Sequence, residues 1–500
     1  MNAKNKTKKS KNSAAKNPKS GMITSGIALG LTLIIGALVY TFMVLRNPIA
    51  VNNSLAYMSE LKVATIMQPA VAESLENKSF TIVVDGKESQ FRLGDYGFTS
   101  AVESDGYSET VKYTDSEGKN QTKTITTKGS ICFDETGAQE DGTIVRNVHF
   151  PKDLVDSILS GPHFGVANPL FQSSQRDCST RRAFDKIDLN NINNKTLQRC
   201  NYSPACSMEE YIKRIPNTIW NKKYNSGYRL ITRKMLNLSS ERTLTSAIIP
   251  PNVCHIITVY GLITEDLYTL GILSGLFSSV PYDFLIKVLG NASFLYKSAK
   301  ILPILSGKYI QPIVLRSMLL NCLTDYYKEI WEKCWNNKNI YDSWSKKDTR
   351  LKQNFSALKQ EWDFSNSLKT EFERRQALVE IDVLTAMQLG MSLEKLIDIY
   401  KIQFPVAQQY EEETWYDQKG NIVFTNNRSL TNVGLTRNEF EQVKYTKEGK
   451  IFTQTIMDDT LPGGPSERTI EYVAPFDKCD RIEDYKTAWK FFKDKYESEE

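Results

Sequence analysis

The chain has 500 residues, of which 41% are hydrophobic, 11% aromatic and 24% charged. This composition excludes a fully disordered protein and allows two or three folded domains. The formal net charge is +5, but residues 1–21 hold seven lysines and no acid, and the remainder has 56 basic and 58 acidic side chains. A nucleic-acid surface must therefore be a local patch.

The N-terminus contains a candidate membrane anchor. Residues 1–21 form a low-complexity lysine-rich tail that is expected to be disordered. Residues 22–45 carry no charge, and such a run suffices to cross a hydrocarbon core of about 30 Å. A cleaved signal peptide is the alternative, but its apolar region is usually about 7–15 residues long. We expect a single-pass transmembrane helix with a cytoplasmic N-terminus, and the lysines place the body on the far side.

Residues 46–128 read as a small β-rich spacer. A strand is predicted over 79–84, before Asp85-Gly86, and a hairpin over 107–127, around Glu117-Gly118. No catalytic pattern is evident there.

Residues 129–171 hold several polar candidates. Four acids, Asp134, Glu135, Glu140 and Asp141, are more typical of a solvated turn than of a metal or general-base site. A short helix is predicted over 151–159. His163, in a Gly-Pro-His-Phe turn, is interpreted as structural.

The tetrapeptide Asn168-Pro169-Leu170-Phe171 partly matches the Asn/Asp-Pro-Pro-Tyr/Phe loop with which adenine amino-methyltransferases hold a flipped base. The second proline is replaced by Leu170, and no glycine-rich cofactor loop follows a strand. We interpret the tetrapeptide as a structural turn and expect no catalytic residue and no S-adenosylmethionine site in this chain.

The eight cysteines show no zinc spacing. Cys178, Cys200 and Cys206 could be metal ligands, but buried free thiols are the favoured interpretation. Disulfides become relevant if the body is exported.

A basic strip between residues 213 and 242 is the candidate DNA-binding surface. Cations that neutralise phosphates beside rings that stack on bases are what such a surface requires; a solvated charged face with buried aromatics is the alternative. The predicted DNA-binding residues are Lys213, Arg214, Trp220, Lys222, Lys223, Tyr224, Tyr228, Arg229, Arg233, Lys234 and Arg242.

The remaining patterns predict a mixed middle region and a mainly helical C-terminal region, an α+β fold overall. Strands are predicted over 244–249 and 253–259, and helices over 266–279, 281–289, 315–335, 372–389 and 392–400. A hairpin over 413–435 and a final helix within 474–492 complete the chain. Asp477, Asp480 and Arg481 are interpreted as capping or salt-bridge residues.

Several of these motifs resemble the C-terminal portion of large bacterial adenine-specific DNA methyltransferases of restriction–modification and phage-defence systems. The resemblance covers about residues 129–493 and rests on motifs in the same order as in that family: GPHF and NP at 161–169, YRLITRKMLNLSSERTLTSAIIPPNV at 228–253, LGILSGLFSSVPYDFLIKVLG at 270–290, QFPV and TWYD at 403–417, and PFDKCDR at 475–481. In that family the strand–Pro-Pro–strand–helix unit belongs to a target-recognition domain. The family's catalytic domain has no counterpart here.

Composition and hydropathy predict a tail at 1–21, a transmembrane helix at 22–45 and a β-rich spacer at 46–128. With the resemblance, the rest of the chain is predicted to form a target-recognition-like domain at 129–312 and a helical domain at 313–500. The resemblance implies a module that binds double-stranded DNA and lacks its own catalysis, with a separate methyltransferase or defence-system subunit as partner. The resemblance also implies that the body is cytoplasmic, whereas the predicted anchor places the body on the far side of the membrane. The alternatives are a membrane-anchored extracytoplasmic interaction protein and a methyltransferase with an unrecognised cofactor site.

Overall fold

The computed structural model describes the backbone of five strands between residues 80 and 129, and residues 132–497 except 181, 219–220, 265, 296–297 and 300. All of these residues belong to one compact unit, Ser59–Glu500. The predicted tail and the predicted transmembrane segment 22–45 lie outside the described residues.

The described strands are short, and most form two-stranded sheets. In chain order they are β1 (Phe80–Val84), β2 (Lys87–Phe91), β3 (Thr99–Ser100), β4 (Glu103–Thr114), β5 (Asn120–Gly129), β6 (Ile144–His149), β7 (Ile158–Leu159), β8 (Gln172–Ser174), β9 (Phe184–Lys186), β10 (Cys200–Pro204), β11 (Arg229–Arg233), β12 (Ser246–Ile249), β13 (Cys254–His255), β14 (Val259–Ile263), β15 (Trp415–Tyr416), β16 (Ile422–Phe424), β17 (Ile451–Asp458), β18 (Ser466–Val473) and β19 (Asp477–Lys478).

Eleven α-helices occur in the described part of the chain. They are α1 (Glu135–Glu140), α2 (Met208–Arg214), α3 (Leu267–Phe277), α4 (Val280–Leu289), α5 (Ile310–Asn321), α6 (Lys328–Cys334), α7 (Glu371–Gln388), α8 (Leu393–Gln403), α9 (Pro405–Glu412), α10 (Arg437–Val443) and α11 (Arg481–Glu497). Helices and several small sheets together confirm a mixed α/β architecture.

One four-stranded antiparallel sheet organises the middle of the chain, in the order β12-β11-β14-β3. Its inner strand β11 pairs on both sides, so Arg229 lies opposite Ile249 on β12 and Ile263 on β14. The edge strand β3 comes from the predicted spacer. Apolar side chains such as Leu230, Ile248 and Leu262 are fully buried, so the sheet lies inside the core.

Helix α3 packs closely on α5 because it carries glycine at the contact. A Cβ atom on Gly275 would lie 2.4 Å from Cγ2 of Ile313. Helices α5 and α7 pack together in turn and form the centre of the helical region.

Most predicted elements are confirmed. The apolar stripe at 372–389 forms α7, which ends before Gly390 (φ +69). Ser392 caps α8 through the backbone N–H of Lys395. The predicted strand 244–249, helices 266–279 and 281–289, and hairpins 107–127 and 413–435 correspond to β12, α3, α4, β4–β5 and β15–β16.

Other predictions need correction. The helix predicted over 151–159 is wrong, because this stretch is a turn followed by β7, which pairs with β13. The strand predicted over 253–259 is split into β13 and the start of β14, and the helix over 315–335 is split into α5 and α6. The hairpin β17–β18 was not predicted from the sequence.

No single helix in the described residues is long and apolar enough to cross a bilayer. Helices α3 and α4 are jointly apolar, but they meet at a bend of 73°.

Helix α7 buries an unusually large number of charged side chains. Glu373, Arg374, Arg375, Glu380 and Asp382 are each at most 8% exposed. A buried charge costs several kcal/mol unless it is paired and hydrogen-bonded. Arg316 of α5 shows how this cost is offset: it is fully buried and lies 2.6 Å from Glu380 and 2.7 Å from Asp342.

We expect R316M to destabilise the protein by about 3–5 kcal/mol, since it leaves Glu380 buried without its cation. Urea unfolding followed by circular dichroism measures the change. The control is R437M, because Arg437 is 57% exposed in its pair with Glu413 and such pairs contribute about 0–1 kcal/mol. Equal effects of the two variants would contradict a structural role for the buried pair.

Candidate functional site

The predicted basic strip is not one exposed surface. Tyr224 and Arg229 are fully buried and Tyr228 is 5% exposed, so these three residues cannot contact DNA in this conformation and their prediction is wrong. Arg229 lies on the inner strand β11, and its guanidinium donates to the carbonyls of Pro250 and Val253 and to Sγ of Cys132. A sequence pattern cannot distinguish such a core cation from a surface one.

The remaining strip residues are dispersed. Arg214 is held by Glu210 at 2.8 Å, and Lys223 donates to the carbonyl of Ile215 at 2.7 Å. Lys213 and Lys222 are exposed and Lys234 is half-buried, while Trp220 lies outside the described residues. Among the described residues of the strip, Arg233 and Arg242 line a common cavity.

The other sequence candidates take structural positions. His163 is fully buried; its Nδ1 accepts from the backbone N–H of Ser160, and its Nε2 lies 3.1 Å from the carbonyl of Arg199. Burial lowers the pKa of His163 to about 4, so the ring is neutral near pH 7. Asn168 Oδ1 accepts from the N–H of Leu170, which is a turn contact. Arg481, Asp477 and Asp480 form the expected salt bridges and helix cap.

Metal chemistry finds no support in the described residues, where no group of three or more His, Cys, Asp or Glu side chains could hold an ion. All eight cysteines are free thiols, and six of them are buried.

A cleft of about 440 Å³ is the candidate site. One wall comes from residues 165–171, Arg233 and the loop 237–245. The other comes from α7, the α8–α9 junction, the loop 427–430 and the first residue of α11. Five arginines line it: Arg233, Arg242, Arg374, Arg375 and Arg481. We call it the arginine cleft.

Arg233 and Arg242 are each held by two hydrogen bonds. Arg233 donates from Nε to Gly161 O at 2.9 Å and from Nη2 to Phe164 O at 2.7 Å. Arg242 donates from Nε to Asp283 at 2.5 Å and from Nη2 to Ser278 O at 2.8 Å. In both, Nη1 donates to no described residue. Each guanidinium is thus fixed in position with a terminal NH₂ group to spare, which is a preorganised anion contact.

Arg233 and Arg374 have no carboxylate within salt-bridge distance among the described residues. Arg374 donates to the carbonyls of Ala167, Leu320 and Leu368 at 2.8–3.0 Å. Burial lowers the pKa of each guanidinium to about 10. Both remain charged near pH 7, so the cleft holds positive charge that an anion would offset.

The other two arginines are neutralised inside the protein. Arg375 pairs with Glu411 and with Asp484 at 2.6 Å, and Arg481 pairs with Glu411 at 2.7 Å. Burial alone would raise the pKa of Glu411, but the two guanidinium groups hold it down at about 2. This pair of arginines fixes α9 and α11 against α7.

Glu241 is the one carboxyl of the cleft lining whose oxygens meet no described cation within 4 Å. Its Oε2 accepts from Asn427 Nδ2 at 2.8 Å, and its Oε1 accepts from no described residue. Asn427 is itself fixed, because its Oδ1 accepts from both the N–H and the hydroxyl of Ser429. Burial raises the pKa of Glu241 above its ordinary value.

Aromatic rings complete the lining. Lys287 lies 5.0 Å from the ring centre of Phe404, and Arg481 lies 5.5 Å from that of Tyr400. The ring of Tyr410 is half-buried and makes no ring or cation contact with any described residue. It is therefore the ring best placed to pack on a ligand.

Sequence reasoning missed most of this site. Glu241, the adjacent pair Arg374 and Arg375, and Asn427 are far apart in the chain and follow no ligand spacing. One signal was present: Glu371–Arg375 places four charges at the start of a helix with an apolar stripe, and buried charges on such a helix need partners elsewhere.

Comparison with protein-family models and with curated proteins found no match. The resemblance stated above and the predicted domain boundaries stay predictions.

We expect E241Q to stabilise the protein in a pH-dependent manner. A raised carboxyl pKa means that the folded state binds the proton more tightly. The contribution of Glu241 to the free energy of unfolding is then most favourable at pH values below about 4.5, the ordinary pKa of this carboxyl. It falls as the pH rises through the pKa of Glu241 in the folded state. The melting-temperature difference between E241Q and wild type should be small at pH 4 and grow toward pH 8. A difference that is constant or shrinks with pH would contradict the burial of this carboxyl.

Proposed function

We propose that the chain binds nucleic acid, and double-stranded DNA in particular, with the arginine cleft and its rim as the phosphate-contacting site. The observation that carries the proposal is the pair of fixed guanidinium groups, Arg233 and Arg242, each with an Nη1 that donates to no described residue. Guanidinium groups match the oxygens of a phosphate and are the usual protein partners of nucleic-acid backbones.

Charge and rings support the same ligand class. The body of the chain is about neutral, so a polyanion needs a local cationic site. Arg233 and Arg374 of the cleft lining supply one, since neither has a carboxylate within salt-bridge distance among the described residues. Tyr410 adds a half-buried ring beside the cations, and a ring next to positive charge is the combination used to bind unpaired bases. The resemblance to target-recognition domains, independent of the cleft, points to DNA.

The role we propose is therefore that of a DNA-binding, target-recognition-like module that works with a separate methyltransferase or defence-system subunit. In this proposal S-adenosylmethionine and the methyl transfer belong to that partner.

R233M should weaken binding of a fluorescent 20-base-pair duplex by roughly 10- to 100-fold at 100 mM salt, because a charge-assisted contact contributes about 1.5–3 kcal/mol. The slope of log K against log[salt] should also fall in magnitude by about one. Fluorescence anisotropy with the full-length chain in detergent measures both.

The control is R176M, which removes one positive charge from an exposed pair with Asp459 outside the cleft. Thermal melts establish whether both variants fold. If R233M does not fold, R233K is tested in its place, because it keeps the positive charge and loses the planar guanidinium. Salt-independent binding by the wild type, or equal losses in R233M and R176M, would sink the proposal.

Membrane topology tests the proposal from another direction. The uncharged segment 22–45 and its lysine-rich flank support a single-pass anchor with a cytoplasmic N-terminus, which would place the body outside. Binding to chromosomal DNA requires the body inside. We therefore expect a C-terminal green fluorescent protein fusion to fluoresce and a C-terminal alkaline phosphatase fusion to be inactive. An active phosphatase fusion would favour the extracytoplasmic interaction protein instead.

A further inference from the structure

The arginine cleft presents two unlike poles. One consists of the Nη1 groups of Arg233, which has no carboxylate partner among the described residues, and of Arg242, which is paired with Asp283. The other is the carboxyl of Glu241, whose Oε1 meets no donor among the described residues. A simple inorganic anion would satisfy the first pole and leave the second unused. The complementary ligand carries an acidic group and a hydrogen-bond donor in one molecule.

The carboxyl of Glu241 is held in a defined orientation by Asn427, which is itself fixed by Ser429. Ser429 donates two hydrogen bonds to Asn427 Oδ1, at 3.0 and 2.7 Å, so the amide cannot turn over without losing both. The Nδ2 group of Asn427 must then face Glu241, where it donates a hydrogen bond to Oε2 only. The remaining oxygen, in a residue that lines the cleft, is oriented to accept from a ligand.

The size and the rings narrow the class of ligand. A cavity of about 440 Å³ is at the small end of the range of roughly 300–1,000 Å³ for ligand sites. It can enclose one nucleotide, whereas the rest of a bound duplex would lie outside its rim. The uncommitted ring of Tyr410 offers a flat surface for stacking. A planar base with an amino group, joined to a phosphate, provides the donor, the stacking face and the anion together.

We infer that the arginine cleft selects a single unpaired nucleotide whose base carries an exocyclic amino group, adenine or cytosine, through Glu241 Oε1. Asn427 is a positioning residue that orients this carboxyl, Tyr410 stacks on the base, and Arg233 and Arg242 hold the phosphate. A carboxylate accepts from an amino group and is repelled by a keto oxygen. The inference rests on the proposed function and adds base selectivity to it.

The free nucleotide and the nucleotide within a strand share this chemistry, so the test has two arms. In the first, isothermal titration of the full-length chain in detergent compares AMP with IMP, in which the amino group is replaced by a keto oxygen. In the second, anisotropy compares a single-stranded 12-mer that has one adenine among thymines with the same 12-mer containing hypoxanthine instead.

The wild type should prefer the amino base at least 10-fold in one or both arms, because the carboxylate accepts from the amino group and is repelled by the keto oxygen that replaces it. E241Q should lose or invert this preference, since the amide also offers a donor to the keto oxygen. E467Q, an isosteric change on an exposed strand residue, should retain it. AMP should bind more tightly than adenosine in the wild type, and R233M should reduce that difference.

Selectivity in the first arm identifies a free nucleotide, and selectivity in the second arm alone identifies a base within a strand; either result supports the inference. Binding that is salt-dependent but equal for amino and keto bases overturns the inference and leaves the proposed function standing. Selectivity that persists in E241Q overturns the assignment to Glu241. No binding of any duplex, oligonucleotide or nucleotide overturns both proposals.

Discussion

The structure depends on the charged side chains that helix α7 buries. Arg374, Arg375, Glu380 and Asp382 lie inside the protein, where an unpaired charge costs several kcal/mol. Each must therefore find a partner on another element. Glu380 pairs with Arg316 of α5, Asp382 accepts from the N–H of Val280 at the start of α4, and Arg374 reaches the carbonyl of Ala167. These contacts hold separate parts of the chain around one helix.

The arginine cleft is a consequence of this arrangement. Arg374 brings the turn at Ala167 against α7, and the Arg375–Glu411–Arg481 network holds α9 and α11 on the other side. The space between them is lined by guanidinium groups because the same residues that stabilise the assembly also face the cavity. Arg233 differs from the network arginines because it has no carboxylate partner among the described residues, and in both Arg233 and Arg242 the Nη1 group donates to no described residue. Structural ion pairs thus surround a smaller set of groups available to a ligand.

Local patterns predicted most of the secondary structure, because capping residues, apolar periodicity and turn signals act over a few residues. Ser392 and Gly390 mark the boundaries of α8 and α7 as expected. The helix predicted over 151–159 failed because Ile158 and Leu159 pair with Cys254 and His255, a contact of long sequence separation. The prediction of the binding residues failed for a similar reason. Arg229 is a cation in the sequence pattern, but tertiary packing places it in the core. Arg374, Glu241 and Asn427 meet only after folding, so no spacing rule could have joined them.

The most direct test of a nucleic-acid site at the arginine cleft is the position at which bound DNA touches the protein. The full-length chain would be irradiated with a bromodeoxyuridine-substituted oligonucleotide, and the cross-linked peptides identified by mass spectrometry. The account predicts cross-links on the peptide that contains Tyr410, and their loss when unlabelled oligonucleotide competes. Cross-links confined to the exposed lysines Lys213 and Lys222, or their complete absence despite binding, would contradict it.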